Sequence, residues 1–500
     1  MTELHEERSV STGAVLRAKM GTLPLVGIIY FSVSGGPFGL EEAVGSSGAG
    51  MALLMLVVVP VVFAIPCALM SAELGTAMPI DGGYYYWVKA AFGRFPAFVQ
   101  GAWSWLNTFL DTALYPIVFA DYLAQWVPFF ERGDHVAFSM WGGDLSFDAH
   151  WLLAIAFMIP LAWLNIRGSR LVGDTSLMMM VLVLAPFVIT SVLGLWRLLD
   201  GESATIAQSF TLPDQTVFSS FGAALAVVIW NYIGWESPST VLAEVDSPRR
   251  TYPKALLISI PLITISYVLP MIGALGSGLH HGDMSAWDDG DFANAANLLA
   301  GPWLKLFVTI AAVIAQVGLF SSLLMSGSRV PKVLAGDGYL PRWVARDHER
   351  HGTPAAAILL SCVVFAVFCA LNFEALVDAD VITNLAAILM EFGAFLMLRR
   401  KFPAMRRPYR VPGGWLVAWL LPLGPLVFTI WLGASAFNDE PAAFWIGLII
   451  LALGVLLYPL ARRAWGGQSR GAVEVEGIDF GAGIDPEAVL HDARPLVETR

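Results

Sequence analysis

Long apolar runs separated by short polar intervals dominate the chain from Gly21 to Trp465. Roughly 20 apolar residues are needed to cross the hydrocarbon core of a bilayer. On that rule the pattern predicts an all-α polytopic membrane protein with about 12 transmembrane helices. The runs lie at 21–48, 50–78, 95–127, 149–166, 173–198, 216–243, 254–276, 296–334, 354–373, 376–402, 413–436 and 441–464. Several exceed the bilayer thickness, so tilt or partial exposure is expected.

Two of these runs are interrupted. The first meets Ser34-Gly35-Gly36-Pro37-Phe38-Gly39, followed by Glu41 and Glu42. The sixth meets Asn231-Tyr232-Ile233-Gly234-Trp235-Glu236-Ser237-Pro238-Ser239. Glycine and proline make a continuous helix costly at both places. Lipid offers backbone groups no partners, so unwound chain at membrane depth must be buried in protein or face a wet cavity. One break alone reads equally as a packing kink or a re-entrant turn. Two breaks, opening two successive groups of five runs, point to inverted repeats with a substrate site at their interface. Five is odd, so the second group enters the membrane from the opposite side, as inversion requires.

Composition agrees and adds orientation. The chain is 57% hydrophobic, only 14% charged, and carries 18 Trp; its mean hydropathy is +0.66. A net charge of -11 argues against a nucleic-acid partner. The basic residues Lys89, Arg94, Arg167, Arg170, Arg249, Arg250, Lys254, Arg329, Lys332, Arg399, Arg400, Lys401, Arg406, Arg407 and Arg410 fall on the side of the N-terminus, and only Arg132, Arg197 and Lys305 on the other. The positive-inside rule then places both termini in the cytoplasm of a multi-pass cell-membrane protein. The opposite loops are acidic, as at Asp283, Asp288, Asp289 and Asp291. Such a face concentrates cations or simply keeps short loops soluble. Residues 1–20 read as a cytoplasmic tail without a signal peptide, 21–465 as the transmembrane domain, and 466–500 as a disordered, acidic cytoplasmic tail. Cys67, Cys362 and Cys369 sit in apolar runs, and His280, His281, His348 and His351 in loops. Neither set has metal-ligand spacing, so no metal and no cofactor is expected.

Six segments carry a resemblance to a known family: SGGPFGLEEA at 34–43, AELGTAMPIDGGYYYWV at 72–88, DTALYPIVFADYL at 111–123, NYIGWESPSTVLAEVDSPRRTYPKAL at 231–256, SRVPKVLAGDGYLPRWVA at 328–345 and EFGAFLMLRRKFPAMRRPYRVPGG at 391–414. Over about 20–465 the chain resembles the amino acid–polyamine–organocation superfamily, nearest to its polyamine/amino-acid:proton symporter branch. The resemblance implies a secondary transporter of amino acids or polyamines. It also implies that backbone amides at Ser34, Gly35 and Gly36 hold a substrate carboxylate. In sodium-coupled members of this fold, small hydroxyl residues in the eighth span help ligate the ion. Ser321 and Ser322 keep that alternative open beside the proton.

The chemistry of the breaks can be read independently. Free N–H groups at the start of the outer half of the first span favour an anion. Unsatisfied carbonyls at Tyr232, Ile233 and Gly234 favour an ammonium. A polyamine lacks the carboxylate and needs acidic side chains. Asp111, four residues from Tyr115 in the third span, is one candidate for cation binding. Glu236 at the sixth break is the candidate proton carrier, with Glu41 or Glu42 assisting. Glu391 in the tenth span is a weaker candidate, and Glu73 reads as structural. Trp230 and Trp235 could gate a cation. An exchanger or a non-transporting sensor of the same fold remains as an alternative. A channel lacks a filter-like repeat here, and a membrane enzyme lacks any catalytic spacing near a membrane face.

Overall fold

The computed structural model describes residues 19–124, 127, 129, 138–140, 143–145, 147–200, 210–213, 215–370, 373–439, 441–466, 478–481 and 484–491. Most of the predicted N-terminal tail lies outside them. Eight described helices are long and apolar enough to cross a membrane. Three more, Thr22–Val33, Val217–Trp230 and Ala355–Phe368, are apolar but only 12, 14 and 14 residues long. Arg94–Ala124 runs for 31 residues with polar positions along it. The chain is nearly all helical; its described strands form one antiparallel hairpin, Phe138–Met140 with Gly143–Leu145.

Both predicted breaks are present. The first helix stops at Val33, and the chain is non-helical to Leu40 before a seven-residue helix, Glu41–Ser47. Gly36 and Gly39 have positive φ, which side-chain-bearing residues rarely adopt. In the sixth span the helix ends at Trp230. The second half of this span is not the helix that the apolar run suggests. It forms two short 3₁₀ turns, Ser237–Thr240 and Leu242–Glu244. Pro238 removes an amide donor, and the backbone finds partners outside a helix. Gly82 donates to the Thr240 carbonyl at 2.9 Å, and Met20 donates to the Glu244 carbonyl at 3.1 Å.

Tertiary context also divides runs that look uniform in sequence. The eighth run resolves into Asp291–Ala300, Pro302–Gly327 and Arg329–Gly336, with Gly301 and Ser328 at the joints. The second span contains one π turn, Pro60–Ala64. Pro66 lies just beyond it and cannot donate to the ladder, which the wider turn absorbs. A short helix at Tyr84–Phe92 follows the second span. The expectation of an unstructured C-terminal tail is corrected for its described pieces. Phe480 is buried against Phe402 with ring centroids 4.8 Å apart, and the Arg406 amide donates to the Asp479 carbonyl at 2.9 Å. Apolar burial against the end of the tenth span outweighs the local polarity of the tail.

The core gathers around the eighth-span helix Pro302–Gly327, which packs against the first, third and fifth spans, while the third packs against the tenth. The two breaks therefore face a space walled by the third, eighth and tenth spans.

Candidate functional site

The breaks touch each other. A Cβ on Gly234 would lie 2.1 Å from the Ser32 carbonyl oxygen, and Gly234 has φ of +98°. Only glycine lets the sixth-span backbone cross the first at this distance. Neighbouring side chains then decide which backbone groups stay free. The Gly36 amide donates to Ser34 Oγ at 3.2 Å. The Gly234 carbonyl accepts from the Ser237 amide at 3.2 Å. Tyr267 donates to the Asn231 carbonyl at 2.7 Å, from the seventh span. Among the described residues the Gly35 amide and the Tyr232 and Ile233 carbonyls have no such partner.

Beside the crossing lies a cavity of about 160 Å³. It runs from Glu41, Asp289 and Gly290 past Asp111 and Trp230 to Glu236, Glu391 and Tyr84. Among the described residues five carboxylates line it, Glu41, Asp111, Glu236, Asp289 and Glu391, and no lysine, arginine or histidine does. Glu236, Glu391 and Glu41 are buried at 5%, 1% and 1% exposure. Each has an Oε2 with no hydrogen-bond partner. Asp111 Oδ1 accepts from the Tyr115 hydroxyl at 2.6 Å, and Glu391 Oε1 accepts from Gln100 Nε2 at 2.7 Å. Asp289, at the mouth, is pushed above the ordinary carboxylate range by lost hydration and by Asp288 beside it.

The face beyond Glu391 is built differently. Glu73 accepts from Arg399 Nε at 2.8 Å and from the Val411 amide at 2.7 Å, and Arg407 Nε lies 3.2 Å away. Glu244 pairs with Arg329 at 2.8 Å, Asp337 with Lys89, and Lys332 with Asp81 and Asp347 at 3.3 and 2.9 Å. These pairs join the ends of the second, sixth, eighth and tenth spans. They satisfy carboxylates that would otherwise be buried without compensation. Glu73 is structural, in keeping with its position at the end of its span.

Of the residues the sequence singles out, the structure brings Gly35, Asp111, Tyr115, Trp230, Ile233, Gly234, Glu236 and Glu41 to the cavity. Ser34, Gly36, Tyr232 and Trp235 support it without lining it. Tyr232 is turned away, its hydroxyl donating to the Leu56 carbonyl at 3.1 Å. Trp235 is fully buried behind the break. Glu42 is exposed on the far side of its helix, so of the two neighbouring glutamates only Glu41 faces the cavity. Successive helical residues point about 100° apart, which separates them. Ser321 accepts from Asn165 at 3.1 Å and Ser322 lies 3.3 Å from Ser176. Neither serine lines the cavity, and both tie the eighth span to its neighbours. No group of three His, Cys, Asp or Glu able to hold a metal occurs among the described residues.

Sequence reading missed Gln100, Ser104, Asn107 and Thr108 on the third span, and Asn384 on the tenth. Asp111, Tyr115, Ser104 and Asn107 recur at helical spacing, a signal available in the sequence. Asn384 and Glu391 lie seven apart and share a face in the same way. Asp380, fully buried one turn before Asn384, puts another carboxyl near Asp111.

Comparison with known proteins agrees with this architecture. The family model for the amino acid permeases matches residues 20–457. A probable polyamine transporter of Arabidopsis thaliana is 34% identical over 449 residues, covering 88% of this chain and 87% of the relative. The polyamine transporter PUT1 of Oryza sativa subsp. japonica is 35% identical over 442 residues, covering 88% and 78%. Among solved structures, that of MhsT in complex with L-phenylalanine superposes with a TM-score of 0.59 at 15% identity, covering 83% of this chain and 98% of that one. It shares the fold.

Proposed function

The chain belongs to the amino acid permease family and is a membrane transporter, not an enzyme, and we propose that it carries polyamines across the cell membrane in symport with protons, by alternating access. The observation that carries this reading is the acidity of the cavity, lined among the described residues by five carboxyl groups and no basic side chain. A neutral zwitterion brings no net positive charge, so these carboxyls would have to stay protonated or bear a cost of several kcal/mol per buried ion by the rough scale for desolvated charges. A polycation supplies the missing charge. The names of the plant relatives point the same way.

In this mechanism one ammonium of the substrate sits between Asp111 and Glu236, close to the free Ile233 carbonyl. Glu236 stands at the joint of the sixth span, where a change in the break alters its access to either side. A proton and a substrate ammonium are alternative ways of neutralising the same carboxylates, which couples their movements. The paired face, with Glu73, Glu244 and Asp337, lies toward the cytoplasm by the positive-inside rule, and Asp289 toward the outside. In this mechanism its ion pairs would hold that end closed while the other is open, and exchange partners when it opens.

A basic amino acid is the second reading, favoured by the free Gly35 amide, which would donate to a substrate carboxylate. Uptake of labelled putrescine, spermidine, arginine and leucine into proteoliposomes under an acid-outside gradient separates the readings. Polyamine accumulation that collapses with the gradient is expected. Accumulation of leucine that polyamines do not inhibit would overturn the proposal.

A further inference from the structure

We infer that Glu41 and Asp289 form a second, outer cation subsite that receives the distal ammonium of a long polyamine and so sets the carrier's preference for chain length. The inference rests on the polyamine reading above.

Four observations carry it. Glu41 is buried at 1% exposure, yet its Oε2 has no hydrogen-bond partner and its side chain lines the cavity. Its Oε1 is held by a long contact from the Phe292 amide, at 3.4 Å. That contact aims the carboxylate without neutralising it, because a backbone amide carries no net charge. Second, Asp289 lines the same end and acts on Glu41 through its charge. Two carboxylates from separate elements, the helix Glu41–Ser47 and the loop before Asp291–Ala300, thus converge on one mouth.

Third, His280 and Lys305 at this end are turned to other partners. His280 lies 2.7 Å from Asp291, and Lys305 donates to Asn294 at 3.0 Å. Asp291 also accepts from the Asp288 amide at 3.1 Å and from Asn294 at 2.9 Å, so it organises the loop and leaves the subsite to Glu41 and Asp289. Fourth, the inner acids stand on other elements: Asp111 on the third span, Glu236 at the sixth-span break and Glu391 on the tenth span. A short diamine is served by the inner group alone. A triamine or tetramine bound there presents a further ammonium toward the mouth, where Glu41 is a buried cavity-lining carboxylate with an unpartnered oxygen.

The test is transport kinetics of Glu41→Gln and Asp289→Asn with putrescine, spermidine and spermine. The quantity read is the ratio of KM for spermidine to KM for putrescine. It is expected to rise about tenfold in Glu41→Gln, the effect of losing about 1.4 kcal/mol of charge pairing, and by about threefold in Asp289→Asn. An unchanged ratio in both variants overturns the subsite, as does an equal loss for all three substrates. If Glu41→Gln does not fold, Asp289→Asn decides alone, since its side chain is exposed at the mouth. Wild-type protein that carries none of the three overturns the polyamine reading itself, a result distinct from polyamine transport with an unchanged ratio.

Discussion

Glu73, Glu244 and Asp337 near the basic face and Glu41, Glu236 and Glu391 in the cavity are chemically alike and all buried, yet their partners differ entirely. The first three each meet an arginine or lysine. Among the described residues the second three meet no cation, and each keeps an unpartnered oxygen. An intramembrane carboxylate costs roughly 2.5 kcal/mol or more to insert, so each group needs a compensation. At the basic face the fold itself supplies it, and the carboxylates become staples between helix ends. In the cavity the described residues supply no such partner, and on the proposed reading a proton or a substrate ammonium takes that place. Burial alone therefore does not separate the two groups; the presence or absence of a resident cation does.

The contrast can be broken most severely at Glu73. Arg399→Ala leaves a buried carboxylate short of its main partner, and a loss of about 3–5 kcal/mol is expected. It would appear as a lower midpoint in thermal unfolding of the detergent-purified protein. The double variant Glu73→Gln, Arg399→Gln should recover much of the loss. An unchanged midpoint in the single variant would mean that Arg407 and the Val411 amide suffice.

Gly234→Ala tests whether the cavity depends on the crossing of the breaks. The added methyl meets the Ser32 carbonyl at a positive φ, and strain of about 1–3 kcal/mol is expected. Uptake should fall more than tenfold even where the protein still inserts, which size-exclusion chromatography would check. Wild-type uptake by this variant would show that the sixth-span backbone shifts freely.

Glu236→Gln is the counterpart to Arg399→Ala. Removing an uncompensated acid should leave the unfolding midpoint equal or higher. Proton-driven accumulation should vanish, each pH unit of gradient being worth about 1.4 kcal/mol to a one-proton symporter. Exchange of bound substrate should persist. Accumulation that still rises as the external medium is acidified would move the coupling role to another carboxylate, with Glu391 the next in line.

The smallest effect is expected at Tyr115. Its hydroxyl holds Asp111 Oδ1 at 2.6 Å, and Tyr115→Phe removes that bond at a cost of about 1 kcal/mol. Substrate KM should rise several-fold with little change in stability. A loss of stability instead would place Asp111 with Glu73 rather than with Glu236.

Much of this was legible in the chain. Gly35, Gly36, Pro37, Gly234 and Pro238 announce the breaks because no other residues disfavour a helix so strongly. Asp111 and Tyr115 announce a polar face because helical period puts residues four apart together. The same period contains Ser104 and Asn107, but an amide or hydroxyl in a membrane helix is too common to stand out. Glu41 and Glu42 are indistinguishable as letters; the direction of one short helix turns the first inward and the second out. Glu391 reads as one acid among several until Gln100, from another helix, is seen to hold one of its oxygens and leave the other bare.

The sequence by itself determined the membrane-embedded helical class, the two broken helices, the acidic character of the midmembrane residues and the basic bias of one face. These depend on local properties: apolar length, backbone propensity and the number of charges in a loop. Only the tertiary structure decided which acids are neutralised and which are left for a ligand, and which backbone groups at the breaks remain free. Those are properties of pairs distant along the chain, Arg399 with Glu73, Gln100 with Glu391, Ser32 with Gly234. No single helix carries the information about what will face it.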